Sequence, residues 1–242
     1  MKNLTTILIL SATVLLSVLL LTNAFKNRNR QRDSINVTGL GTVDFKSDLI
    51  VWTGSFSKKN FDLKAAYEVL KTDRENIKQY LITKGLKESE IVFSSVNINK
   101  EFDNFYDKDG NHSSKFSGYS LYQQVTIESP DVDKIENIAR EVTELINLGV
   151  EFYSNNPQYY YTKMSELKIE MIASATNDAR IRAENIASNA GAKIGDLKNA
   201  QIGIFQIIGQ NSDEDYAWGG TFNTSSKMKT ATITMKLEFG IK

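Results

Sequence analysis

The sequence predicts an α+β protein: two intertwined antiparallel-sheet layers with three helices, in the order ββαββ-αβαββ, behind one N-terminal transmembrane helix. Three observations carry this. Leu4 to Phe25 is free of charge. Beyond it, short segments alternate apolar and polar residues with the period of a strand. Between these lie only three stretches of helical period, too few for a doubly wound parallel sheet.

The uncharged run is 22 residues long, about 33 Å as a helix, enough for a bilayer core of roughly 30 Å. Its polar members are mostly small: Thr5, Thr6, Ser11, Thr13, Ser17, Thr22 and Asn23. Ala24, with Thr22 two places before it, resembles a signal-peptidase site, but the run exceeds the about 7 to 15 residues of a signal core. Residues 1–25 therefore read as a retained anchor with the membrane as partner through residues 4–25, and 26–34 as a polar basic tether. Lys26, Arg28, Arg30 and Arg32 follow the run and only Lys2 precedes it; the positive-inside rule alone would put the body in the cytoplasm.

The body, residues 35–242, opens with alternation at Ile35, Val37, Gly39, Gly41, Val43 and Phe45. It resumes at Ile50, Trp52, Gly54 and Phe56 after a Lys46-Ser47-Asp48 turn, which reads as a hairpin. From Asp62 the period becomes helical, with Leu63, Ala66, Tyr67, Leu70, Ile77 and Leu81 on one stripe and Gly85 placed to cap the end. Val92 to Ile98 and Tyr119 to Ile127 form a long hairpin around a polar loop, Asp103 to Ser114. Ser129-Pro130-Asp131 starts a second helix that ends at Gly149. A short strand, Val150 to Tyr153, precedes a third helix from Tyr160 to Asn189. Its face of Ala175, Ala179, Ala183 and Ala187 suits close approach to a sheet. Strands at Ile202 to Ile208 and Thr232 to Phe239 close the chain around a polar loop, Gly209 to Ser226.

Composition removes several function classes. With no cysteine, disulfides, thiolate catalysis, thiolate metal sites and a lipidated cysteine are excluded. Basic and acidic residues both number 29, but five basic ones precede Asp33, so the chain from Asp33 onward carries a net charge of −5. Without clustered Lys and Arg to release counterions, no nucleic-acid partner is expected.

Four blocks resemble the SIMPL-domain family, and the segments YYYTKMSELKIEMIASAT (159–176) and FQIIGQNSDEDY (205–216) resemble its membrane-anchored bacterial branch. The four blocks are VTGLGTVDFKSDLIVWTGSF (37–56), YLITKGLKESEIVFSSVNI (80–98), YQQVTIESPDVDKIENI (122–138) and ATNDARIRAENIASNAGAKIGDLKNAQIG (175–203). The resemblance spans about residues 35–240. It implies a single-pass bacterial membrane protein with the body on the periplasmic side, against the literal charge rule, and it carries over no catalytic residue.

The individual side chains agree. The only histidine, His112, sits in the loop DKDGNHSSK and reads as a hairpin tip rather than a triad base. Aligning Gly110 with the glycine of a calcium loop puts Phe105 and Phe116 where carboxylates are needed, so Asp107 and Asp109 belong to a turn. Asp213, Glu214 and Asp215 read as a solvated loop. Gly39-Leu40-Gly41 is followed by a strand instead of a helix, so its glycines relieve crowding where an element crosses the sheet. Arg180, Arg182 and Glu184 read as surface charges. Tyr159, Tyr160, Tyr161, Phe205, Trp218 and Phe222 are aromatics in polar surroundings, read as caps on the core with a partner surface as the other option. No catalytic, cofactor or metal residue is assigned, and no cofactor is expected. The function expected is a non-catalytic envelope module acting through self-association or an envelope protein partner; the rival is a carboxylate-based hydrolase or carbohydrate-processing enzyme.

Overall fold

A computed structural model describes residues 2–30, 34–106, 110–215 and 217–242. After helix α1 (Lys2–Arg30) come β1 (Ser34–Lys46), β2 (Leu49–Asn60), α2 (Leu63–Thr83), β3 (Ile91–Phe93), β4 (Asn97–Tyr106) and β5 (His112–Ser129). Then follow α3 (Val132–Glu141), β6 (Phe152–Ser154), β7 (Gln158–Tyr160), α4 (Met164–Asn189), β8 (Ile194–Ile202), β9 (Gln206–Gly209) and β10 (Met228–Ile241). The protein is α+β, and all pairing between these strands is antiparallel.

The first two strands do not form the expected hairpin. β1 pairs along its whole length with β10, and β2 pairs with β5. The chain crosses between two sheets at Ser47-Asp48, where the N–H of Ser47 donates to Lys227 O (2.9 Å) and that of Asp48 to Tyr160 O (3.0 Å). Each backbone donor thus finds a different sheet, and the apparent turn is a crossing point. One sheet joins the first strand to the last three, in the order β1-β10-β8 with β9 also on β10. The other holds β2 to β7 around β5 and β2.

Each sheet has its own core against its own helices. Trp52, Phe56, Leu70, Ile77, Leu121, Ile127, Ile135 and Leu145 fill the layer between the β2–β5 sheet and α2 and α3. Ala175, Ala179, Ala183, Met171, Ile233 and Leu237 fill the layer between the β1–β10 sheet and α4. That second layer is thin because the strand supplies glycines. A Cβ on Gly39 would lie 2.1 Å from Ala175 O and 2.5 Å from Ala179 N, and one on Gly41 2.6 Å from Met171 O. The alanine face and the Gly-x-Gly strand are two halves of one contact.

Other boundaries move for physical reasons. The expected loop Asp103–Ser114 is largely strand: β4 runs to Tyr106 and β5 starts at His112, with Tyr106 opposite His112. No residue of β4 is buried, so it shows no inward alternation. The expected strand Val92–Ile98 divides into β3 and the start of β4. α3 stops at Glu141 and continues as a 3-10 turn to Leu148, closed by Gly149 at φ +74°. The third body helix begins at Met164, since Tyr159 and Tyr160 pair with Ile50 and Leu49. β8 was not expected: an exposed edge strand, IGDLKNAQI, has no apolar face to declare it.

The α1 helix extends to Arg30, so much of the expected tether is helical; residues 31–33 lie outside the described ones. Among the described residues no helix is long and apolar enough to cross a membrane. The described α1 side chains are residues 10–25, about 24 Å of helix. All are exposed, Leu10, Leu15, Leu20 and Phe25 among them at 61% or more.

Candidate functional site: an open groove on the β1–β10 sheet

Strand alternation decides what the second face of this sheet presents. Val37, Gly39 and Gly41 of β1 and Ala231, Ile233, Met235 and Leu237 of β10 face α4. Leu40, Thr42, Thr230, Thr232, Thr234 and Lys236 therefore line the other side, and among the described residues no helix contributes to that lining. Beyond β10 the chain leaves the ladder after Ile202 and rejoins it at Gln206, so residues 201–206 form a wall. Gly203 is required there. Its N–H donates to Thr234 O at 2.8 Å, and an added Cβ would sit 2.1 Å from Thr234 Oγ1. Trp218 hangs over the end. The result is an open groove of about 810 Å³, within the range that encloses small ligands or anchoring side chains.

The loop carrying Trp218 is pinned from beneath. Gln206, 7% exposed, donates to Ala217 O at 2.8 Å and accepts from Thr221 N–H at 2.6 Å. Lys229 is 3% exposed and donates to both the backbone and side-chain oxygens of Asn223, whose amide in turn donates to Glu214. Burial pulls the Lys229 amine down to about 8, although Glu214 opposes this. Glu214 also accepts from Gly209 N–H at 3.2 Å. The acidic loop is thus partly a fastening rather than wholly solvated, and among the described residues no cluster of three or more metal-ligating side chains occurs.

Trp218 is 96% exposed and Phe222 56%. Phe205 and Phe222 flank the Lys168 ammonium, which lies 5.2 and 5.9 Å from their ring centres. The six singled-out aromatics therefore divide. Tyr159 is buried with its hydroxyl 3.2 Å from Glu136, and Tyr161 packs on Phe45 at 4.7 Å, both as core caps. Tyr160 is a strand residue at the sheet edge. Trp218 and Phe222 stand outside the core.

Carboxylates occur as a pair at the junction of the two sheets, on α3. Asp133 meets Lys46 at 2.6 Å and Lys227 at 3.3 Å; Glu136 meets Lys227, Arg140 at 2.9 Å and the Tyr159 hydroxyl. The Lys46 ammonium, then Lys227, holds Asp133 below the usual carboxylate range. For Glu136 burial pushes upward, yet Lys227 and Arg140 outweigh it and the net shift is down. A general acid needs the opposite shift. The cluster clamps the end of β1 and the approach to β10 onto α3.

His112 is the exposed first residue of β5, paired with Tyr106 at the outer end of the β4–β5 hairpin, its Nε2 3.2 Å from Asn104 Oδ1 and its ring 5.2 Å from Tyr106. Asp107 and Asp109 lie outside the described residues. Arg180 pairs with Glu184 and Arg182 with Asp178, both at 2.9 Å. Asp178 has a further partner that sequence reasoning missed: it accepts the Leu40 N–H at 2.8 Å, the outward-facing donor of an edge strand. Its spacing of 138 residues from Leu40 leaves no local signal.

Fold and site together define an antiparallel α+β protein with two helix-backed sheets and one uncovered, largely apolar sheet face. The chain belongs to the SIMPL family, described as a protein of unknown function (DUF541), whose model matches residues 35–238. No curated protein matches. Among solved structures, the de novo designed protein Ferredog-Diesel is similar over 46% of this chain and 87% of its own, at 13% identity and a TM-score of 0.19.

Proposed function

We propose that this protein is a membrane-tethered binding module of the bacterial cell envelope. It is held by residues 4–25, with its body on the outer side, and captures a partner in the groove on the β1–β10 sheet. The observation that carries the reading is the groove, a preformed concave face with apolar walls at Leu40, Ile202 and Ile204 and an almost fully exposed tryptophan at its end. Exposed tryptophans beside apolar pockets are the residues that dominate binding energies at interfaces. The tether rests on α1. Its described side chains carry no charge, and the hydroxyls of Thr13, Ser17 and Thr22 return to helix carbonyls at 2.9, 2.8 and 2.7 Å. Such bonds hide those hydroxyls within the helix, as hydrocarbon demands.

Two measurements test this. Protease treatment of intact cells and spheroplasts, with membrane partitioning of the full chain, is expected to give a membrane-bound body cleaved only once the outer barrier opens. A body protected in spheroplasts would place it in the cytoplasm. Trp52 is fully buried and Trp218 is not, so groove occupancy is expected to blue-shift the emission of Trp218 alone. A Trp218→Phe variant that retained the shift would refute the assignment. The carboxylate-enzyme reading has no such support, because the facing pair on α3 is neutralised by lysines.

A further inference from the structure

The two ends of the groove differ. Gln206 pairs with Thr232 and holds the carbonyl of Ala217, which sets Trp218 over that part of β10. Lys236 stands four residues further along the same face, about 13 Å away. It is the sole ionisable residue lining the groove, and among the described residues it has no ion-pair partner. Glu238 continues that face of the strand beyond the lining. Past Trp218 the border is acidic instead. Asp44 lies opposite Thr230 and accepts from its hydroxyl at 2.6 Å and from the Gln210 amide at 3.0 Å. The groove therefore runs from a free cation to an exposed ring bordered by a carboxylate.

Resting on the binding-module reading, we propose that the groove takes a long-chain fatty acid, with its carboxylate on Lys236 and its tail along β10 toward Trp218. Charge fits a single anion held at one end, since the walls between, Leu40, Ile202 and Ile204, are apolar. Length fits as well. An extended chain advances about 1.2 Å per bond, so about eleven bonds, the reach of dodecanoate, join Lys236 to Trp218. A hydrocarbon tail also suits the floor better than a peptide. The backbone groups of β1, β10 and β8 are paired with one another, so a peptide laid across this face would bury N–H and C=O groups without partners. A methylene chain brings no such groups. Anchorage at a bilayer, part of the same reading, places the groove beside a store of acyl chains.

The test uses the full chain in phosphatidylcholine nanodiscs, free of detergent, titrated with fatty acids. Bromine quenches tryptophan on contact, and the difference between wild type and Trp218→Phe separates Trp218 from the fully buried Trp52. 12-Bromododecanoate, with its bromine at the tail end, is expected to quench Trp218 saturably, and 2-bromododecanoate far less. Octanoate is expected to compete with the bromo acid at least about tenfold less well than dodecanoate, because four buried methylenes are lost. Lys236→Gln, checked by circular dichroism, is expected to weaken dodecanoate by about fivefold and leave dodecanol unchanged. Stronger quenching from the 2-position would reverse the orientation and overturn the proposal. So would octanoate competing as well as dodecanoate, or a Lys236→Gln variant with unchanged dodecanoate affinity. Quenching that never saturates would mean contact with acid dissolved in the bilayer, and overturns it too. If no acid quenches Trp218 the proposal falls, whereas the binding-module reading stands if Trp218 emission still shifts on addition of envelope proteins.

Discussion

Replacing Gly39 with alanine tests the packing of the groove-bearing sheet most directly. The new Cβ would start 2.1 Å from Ala175 O and 2.5 Å from Ala179 N, whereas ordinary contact begins at 3.4 Å. α4 must therefore retreat by about 1.3 Å. Both obstacles are backbone atoms, so no rotamer change can absorb the clash. The retreat opens a layer whose alanines 175, 179 and 183 are fully buried, and gaps of that order forfeit a quarter to a half of each dispersion contact. Overpacking of this kind costs about 3 kcal/mol. Loss of glycine's freedom in the unfolded chain offsets about 0.7 of it, which leaves a net destabilisation of about 2 kcal/mol. For a chain of this size that lowers the melting temperature by about 4 to 8 °C. Urea titration of the full chain in detergent, followed by far-ultraviolet dichroism, measures it. A change below about 0.5 kcal/mol would refute the reasoning. So would full rescue by Ala179→Gly, which removes only the side-chain contact at 2.7 Å.

Further expectations follow from the same geometry. A Cβ on Gly54 would meet the ring of Phe152 at 2.0 Å, a side chain that can swing away. Gly54→Ala is therefore expected to cost about 1 kcal/mol and to be rescued by Phe152→Leu, and failure of that rescue in the same titration would locate the clash elsewhere. Lys229, with its folded pKa lowered to about 8 from 10.5, is charged in both states below pH 8 and neutral in both above 10.5. Between these values the unfolded chain binds more protons, so stability rises with pH, by up to about 3 kcal/mol. The difference between wild type and Lys229→Met isolates it, and a pH-independent difference would contradict it. Glu136→Gln is expected to cost about 1 to 2 kcal/mol at pH 7, since it breaks a mostly buried pair with Lys227. Because the Glu136 pKa is lowered on folding, the stability it contributes is present above the unfolded value near 4.5. That stability is lost as pH falls through the folded value, so the variant's acid limb is expected to be shallower than wild type's.

How much was legible in advance follows from where each signal lives. The helix faces, the caps Gly85 and Gly149, the crowded Gly-x-Gly strand and the alanine face of the last helix each depend on residues a few places apart, and they were readable; that this strand and this helix meet was not. Strands with one buried face were readable for the same reason. β8, the outer part of β4 and the start of β5 were not, because a strand exposed on both faces carries no alternation. The groove was invisible as well: its residues are unremarkable threonines, isoleucines and glutamines until β10 sets them side by side.

From the sequence alone came an α+β chain, an uncharged N-terminal run, family membership and a body without thiol chemistry, all properties of local pattern or composition. Strand partners needed the tertiary structure. A hairpin between β1 and β2 satisfies the same alternation as the observed split, and only long-range hydrogen bonding, with Ser47 and Asp48 donating to opposite sheets, decides between them. That crossing sends β1 to β10 and leaves one face of their sheet uncovered. The site exists because of that pairing, which no local stretch of sequence encodes.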